Sequence, residues 1–60
     1  MTLPDFVTGL SLELRLRAVR FDRGELERWA AEVWPLAEED PDVIRWADAF
    51  LAAQRETAGP

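Results

Sequence analysis

Leucine alternates with polar or charged residues over the segment 10–17, which reads Leu-Ser-Leu-Glu-Leu-Arg-Leu-Arg. In a β-strand, successive side chains point to opposite faces, so all four leucines would share one face. On a helix the same leucines would divide between opposite sides. Leucine, glutamate and arginine favour helix by propensity, but the burial pattern favours a strand. The alternation therefore predicts one short strand, and the phase shift to Val19 and Phe21 indicates a bulge or the end of that strand.

An amphipathic helix is predicted after this strand. Asp22 has the side chain of an N-cap, and Glu25 stands where it completes a capping box. Apolar residues then follow at helical spacing, with charged residues mostly on the other side. Pro35 disfavours helical geometry in the residue before it, which predicts that this helix ends near Trp34.

A second helix is predicted from Asp40-Pro41, where a capping residue precedes a proline at the first helical position. It runs to about Gln54. Its apolar residues cover well over half of its circumference, whereas a helix in a two-helix monomer needs only one stripe buried. This breadth predicts that the helix is buried on two sides, and hence that the chain has a partner.

These elements predict a single β-α-α domain at residues 10–55, mainly α with one short strand. An N-terminal arm at 1–9 precedes it and a frayed C-terminus at 56–60 follows it. One strand alone leaves its edges unpaired, and pairing with the same strand of a second copy removes this problem. The sequence therefore predicts a homodimer. A plain three-helix bundle, with residues 10–20 helical, is the alternative.

The composition excludes several kinds of stabilisation and chemistry. The 60 residues include neither cysteine nor histidine, so a disulfide is impossible and a structural zinc site has no credible ligands. A chain this short commonly needs a partner when it lacks both. Lysine and tyrosine are also absent, and the serine and threonine hydroxyls lack a neutral-pH base. We expect no enzyme activity, no catalytic residues, no metal and no cofactor.

The location is predicted from two features of the sequence. The first ten residues have no basic region of the kind that opens a signal peptide. No apolar run approaches the roughly 20 residues that span a membrane. We expect a cytoplasmic protein without a membrane partner.

The predicted elements resemble the ribbon-helix-helix family of small dimeric DNA-binding proteins. The resemblance rests on the alternating strand at 12–17, on Val19-Arg20-Phe21-Asp22 at the entry to the first helix, and on the apolar face at 43–51. It covers roughly residues 10–54. It implies an intertwined homodimer that binds duplex DNA through an antiparallel β-ribbon. The function it implies is that of a transcriptional repressor or an antitoxin-like autoregulator.

The resemblance also implies roles for particular residues. Base contacts in the major groove would come from Glu13, Arg15 and Arg17. Phosphate contacts would come from Arg20 and Arg23. The dimer core would contain Leu12, Leu14, Leu16, Trp29, Val33, Ile44, Ala47, Phe50 and Leu51.

The charge distribution supports a second hypothesis, in which the chain binds no nucleic acid. Residues 1–23 hold four arginines against three acids, whereas residues 24–60 hold three arginines against nine acids. An acidic interaction module could dock onto a basic or apolar protein as an adaptor, an inhibitor or a toxin-neutralising segment. Its contact residues would be Trp34, Trp46, Glu38, Glu39, Asp40 and Asp42. Tryptophans are more often core or dimer-interface residues than a separate binding site, so Trp34 and Trp46 have this alternative interpretation.

Overall fold

Three α-helices make up the regular structure of the chain. The computed structural model describes residues 1–58, with the side chains of residues 1–56. Helix α1 spans Leu3–Leu16, α2 spans Arg23–Ala37 and α3 spans Val43–Ala58. No strand occurs among these residues, so the predicted β-α-α domain and the ribbon-based intertwined dimer are wrong. The three helices agree with the alternative that the sequence left open.

Helix α1 begins well before the segment that was predicted to be a strand. Thr2 is its N-cap, and the Thr2 hydroxyl accepts a hydrogen bond from the backbone amide of Asp5 at 3.3 Å. Pro4 suits the first turn, where its missing N–H would have no helical partner. The Asp5 carboxylate stabilises the positive end of the helix dipole. The N-terminal arm predicted for residues 1–9 therefore belongs mostly to α1.

The buried face of α1 has helical spacing. It consists of Phe6, Val7, Leu10, Ser11 and Leu14. This face starts ahead of the alternating segment, and every second leucine of that segment, Leu10 and Leu14, continues it at a spacing of four residues. The strand prediction was wrong because it considered only the alternation within residues 10–17 and not the apolar residues that precede it. Helix propensity and the face that begins at Phe6 act together, and both favour the helix.

Helix α1 ends in a hydrogen-bonded cap, where the sequence predicted a bulge or a strand end. The amide of Val19 donates to the carbonyl of Leu14 at 3.0 Å, and the amide of Ala18 donates to that of Arg15 at 2.9 Å. These are the two bonds of a Schellman motif. Ala18 adopts a φ of 58°, in the left-handed region that costs a non-glycine residue about 1–2 kcal/mol. The turn returns Val19 to the core.

Helix α2 confirms the predicted N-cap and contradicts the predicted end. Oδ1 of Asp22 accepts from the amide of Glu25 at 3.1 Å. The helix does not stop near Trp34, because it continues through Pro35 to Ala37. A proline removes one hydrogen bond, that to the carbonyl four residues earlier. Pro35 and Ala31, whose carbonyl lacks this hydrogen bond, are both exposed. Water can therefore bind the carbonyl, and the last turn tolerates the proline.

Helix α3 begins at Val43 and not at the predicted Asp40-Pro41. Oδ1 of Asp42 accepts from the amides of Ile44 and Arg45, at 3.1 and 3.4 Å. Asp42 therefore occupies the N-cap position. The Asp40 side chain is instead hydrogen-bonded to the guanidinium of Arg45 at 2.8 Å, which leaves it outside the helix.

The C-terminal half of α3 is longer than predicted. It passes Gln54, the predicted end, and continues to Ala58. Residues 59 and 60, the remainder of the predicted frayed end, lie outside the described residues. Leu51 and Gln54 line a shallow groove with Phe21 from the loop that precedes α2, so this part of α3 also lies against the rest of the chain.

The core closes within one chain. Its buried apolar residues come from all three helices: Phe6, Val7, Leu10, Leu14, Leu26, Ala30, Ala37, Ala47 and Phe50. Helix α1 packs against both other helices, which contact each other less. It approaches α3 closely at Gly9, where an added Cβ would lie 2.8 Å from Cγ1 of Val43. The core does not depend on the leucine row being covered by a second copy.

Candidate functional site: a protein-interaction surface

Four carboxylates cluster at the turn between α2 and α3. They belong to Glu38, Glu39, Asp40 and Asp42, all of which are exposed. The side chains of Leu36 and Ile44 bracket them in the chain, and these are 69% and 57% exposed. We call residues 36–44 the acidic corner. The corner contains no basic residue and carries most of the net charge of −5.

The backbone of the acidic corner is ordered by hydrogen bonds. The amide of Glu38 donates to the carbonyl of Trp34 at 2.8 Å, and that of Glu39 to Leu36 at 3.3 Å. The amide of Asp40 donates to the carbonyl of Ala37 at 3.1 Å. Each of these bonds closes a turn onto the end of α2. The carboxylates therefore project from a defined surface rather than from a loose loop.

The four carboxylates differ in how well their charge is compensated. Asp40 forms an ion pair with Arg45 at 2.8 Å, and Asp42 caps α3 at the positive end of its dipole. Glu38 and Glu39 have no ion pair among the described residues. They follow the negative end of α2, whose last turn contains no basic residue. A cation from outside the chain would therefore be attracted to these two residues.

The predicted contact residues Trp34 and Trp46 lie half-buried next to the acidic corner. The ring of Trp34 lies 5.2 Å from that of Phe6, and Trp46 lies 6.4 Å from Phe6 and 6.1 Å from Trp29. The indole N–H of Trp46 donates to the carbonyl of Asp40 at 2.8 Å. Most of each ring therefore packs inside the chain, and Trp46 also holds the corner in place.

Two residues of the predicted DNA contact bind each other at the C-terminal end of α1. Nε of Arg17 donates to Oε2 of Glu13 at 2.8 Å, one turn apart on the helix. Arg17 also pairs with the carboxylate of Asp48 and donates to the carbonyl of Ile44 at 3.2 Å. The hydrogen bonds to Asp48 and to Glu13 raise the pKa of Arg17. Arg17 therefore fastens α1 to α3 and is not free to read a base.

The other predicted DNA contacts are dispersed. Arg15 is exposed on α1, and Arg20 is exposed in the loop before α2. Arg23, at the start of α2, lies 3.5 Å from Glu27 in an exposed ion pair. A ribbon would have placed Arg15 and Arg17 side by side, whereas residues two apart on a helix diverge. The structure therefore removes the geometry on which the base-contact prediction rested.

The residues predicted for a dimer core divide into three groups. Leu14, Ala47 and Phe50 are buried within the chain. Trp29, Val33 and Leu51 are half-buried and pack against the core. Leu12, Leu16 and Ile44 are exposed. Only the last group retains a large apolar surface that another protein could cover.

Sequence reasoning missed Leu36 as a surface residue. It assigned Leu36 to a connector, because Pro35 was expected to end the helix. The available signal is its helical phase. Leu36 directly precedes the buried Ala37, and adjacent residues on a helix point about 100° apart. A helix that extends through Pro35 therefore turns Leu36 outward.

Three features are absent from residues 1–58. These residues contain no group of three or more acidic side chains placed to hold a metal ion. Every buried side-chain nitrogen or oxygen among them has a hydrogen-bond partner. None of the helices in residues 1–58 combines the length and apolar character that crossing a membrane requires.

Comparisons with protein-family models, with curated proteins and with solved structures find no match for the chain. They add nothing to the ribbon-helix-helix resemblance, and the three-helix fold contradicts the architecture that it implied.

Proposed function

We propose that the chain is an acidic protein-interaction module that binds a basic partner protein through the acidic corner. One observation carries this proposal. The uncompensated carboxylates of Glu38 and Glu39 stand beside the exposed aliphatic side chains of Leu36 and Ile44 on an ordered turn. The matching partner surface presents arginine or lysine around an apolar residue.

The two kinds of group contribute differently to binding. Charges steer the encounter and select a partner of opposite sign, while the affinity comes largely from buried apolar area. Full burial of an aliphatic side chain contributes about 1.5–3 kcal/mol. An exposed ion pair adds only about 0.2–1 kcal/mol. Leu36 and Ile44 therefore supply most of the binding free energy, and Glu38 with Glu39 supply the preference for a basic partner.

The acidic corner needs little ordering before it binds. Its amides are already hydrogen-bonded, and the Trp46 indole fixes the carbonyl of Asp40. Preorganisation of this kind lowers the entropy cost of association. Tryptophan fluorescence should report binding directly, because the half-buried rings of Trp34 and Trp46 lie next to the surface that a partner would cover.

The test is a fluorescence titration of the full chain with a synthetic peptide of alternating arginine and leucine. Glu38→Gln with Glu39→Gln should weaken binding by about three- to tenfold, from two exposed pairs. Leu36→Ser should weaken it by about tenfold. A peptide with glutamine in place of arginine should bind less well than the basic peptide.

The matched control is Glu25→Gln with Glu32→Gln, which removes the same charge from exposed positions of α2. It should leave the affinity nearly unchanged. Equal weakening by the two double variants would show that net charge, and not the acidic corner, attracts the peptide. That result would overturn the proposal, as would unchanged binding by the corner variants.

A further inference from the structure

Helix α1 has an outward stripe that no other part of the described chain covers. Its members are Asp5, Thr8, Leu12, Arg15 and Leu16, and all five are exposed. Steps of three and four residues keep them on one side of the helix. Leu12 and Leu16 are 57% and 76% exposed. We call these five residues the outer stripe.

Charge is ordered along the outer stripe. Asp5 lies in the first turn of α1 and Arg15 in the last. The two leucines and Thr8 lie between or beside them. The Thr8 hydroxyl donates to the carbonyl of Pro4 at 2.9 Å, so the methyl group remains for apolar contact. The stripe is neutral, whereas the chain carries −5, so two copies repel each other less along the stripe than elsewhere.

We propose that a second copy of this chain docks antiparallel along the outer stripe. A two-fold axis level with residue 10, midway between residues 5 and 15, places Asp5 of one protomer beside Arg15 of its partner, and the symmetry repeats this pair. Leu12 then packs against Thr8 of the facing helix, and Leu16 lies opposite the exposed Pro4, in the manner of a short antiparallel seam. A parallel arrangement would instead oppose like charges. This contact differs from a β-ribbon and is independent of the acidic corner.

The size of the stripe predicts a weak, reversible dimer. A helix of 14 residues is about 21 Å long, so the contact is smaller than a standard protein–protein interface. The core of each protomer is already closed. Association should therefore depend on concentration, with a folded monomer at low concentration.

Sedimentation equilibrium of the full chain, from low micromolar to millimolar concentration, tests the proposal. The average mass should rise from 6.9 kDa towards twice that value. Leu12→Ser with Leu16→Ser should weaken dimerisation by at least about a hundredfold. Both positions are exposed, so helical circular dichroism should be retained. Leu36→Ser, an exposed leucine outside the stripe, is the matched control and should leave dimerisation unchanged.

Charge reversal tests the antiparallel orientation. Asp5→Arg alone, or Arg15→Asp alone, opposes like charges and should weaken the dimer by roughly tenfold. The double variant Asp5→Arg with Arg15→Asp should restore it, because each copy again matches the other. Circular dichroism at the same concentrations checks that each variant is helical. A monomer at every concentration, or single reversals without effect, would overturn the proposal.

Discussion

The two sides of α1 use the same residue type in opposite environments. Leu10 and Leu14 are completely buried, whereas Leu12 and Leu16 are largely in water. All four belong to one alternating segment. A helix turns about 100° per residue, so residues two apart point in nearly opposite directions and residues four apart nearly coincide. Alternating leucine in a helix therefore builds two apolar sides, of which the fold needs one.

This difference separates folding from association. The inner leucines lose their contact with water when the chain folds, so they contribute to its stability. The outer leucines stay hydrated in the protomer and contribute little to the free energy of unfolding. Exposed aliphatic side chains aligned on one helix favour contact with another surface. Substitutions on the two sides should therefore change different measurements.

The largest expected effect is that of Leu14→Ala. Removing a fully buried leucine side chain costs about 2–5 kcal/mol, because apolar contacts are lost and a cavity remains. A chain of 60 residues has a total stability of about 3–9 kcal/mol. The variant should be marginally stable or unfolded at 25 °C. Urea denaturation followed by tryptophan fluorescence measures the change.

Leu12→Ala removes the same atoms from the other side of the helix and is the control. Its free energy of unfolding should lie within about 0.5 kcal/mol of that of the original chain. Both samples should be measured at low micromolar concentration, where self-association is least. Equal losses for Leu12→Ala and Leu14→Ala would mean that the two leucines share one environment, as on a strand, and would contradict the comparison.

A smaller loss is expected at Gly9, which lies at the edge between the two sides. The added methyl of Gly9→Ala would lie 2.8 Å from Cγ1 of Val43, and a β-branched side chain has little freedom to turn away. Overpacking costs about 1–3 kcal/mol, and alanine regains about 1 kcal/mol in helix propensity. The net expectation is a loss of about 1 kcal/mol in thermal or urea unfolding.

Val43→Ala provides the matching test of this contact. In the Gly9→Ala background it removes the methyl that would clash, so the double variant should lose less than the sum of the two single variants. An increase in stability for Gly9→Ala alone would show that α1 and α3 lie farther apart. Gly9 would then not lie at a close contact between α1 and α3.

Sequence reasoning predicted α2 and α3, which have strong local signals. It missed α1, where the local signals conflict. The Asp22 N-cap and the apolar spacing after it fixed the start of α2, as the structure confirms. For residues 10–17 the alternation favoured a strand while propensity favoured a helix. The inward contacts of Phe6 and Val7 decide for the helix, but those contacts depend on tertiary packing. Helix ends were missed where a proline or a competing carboxylate altered the boundary.

The surface was partly predictable. The clustering of Glu38 and Glu39 with Asp40 is visible in the sequence, and the structure places these residues together in the acidic corner. The tryptophans were harder to assign, because only the fold shows that Trp34 and Trp46 pack against Phe6. The pairing of Arg17 with Asp48 joins residues far apart in the chain. No local pattern contains that information.

The smallest expected effect lies at the end of α1, where Ala18 holds a φ of 58°. A left-handed conformation costs an L side chain about 1–2 kcal/mol, and glycine removes this cost while gaining freedom in the unfolded chain. Ala18→Gly should therefore raise stability by about 0.5–1 kcal/mol, or the melting temperature by about 2–8 °C. Thermal unfolding by circular dichroism measures the shift. Ala18 lies beyond the outer stripe, so self-association should not change. A loss of stability would contradict the left-handed cap, and altered association would mean that the two sides of α1 are not independent.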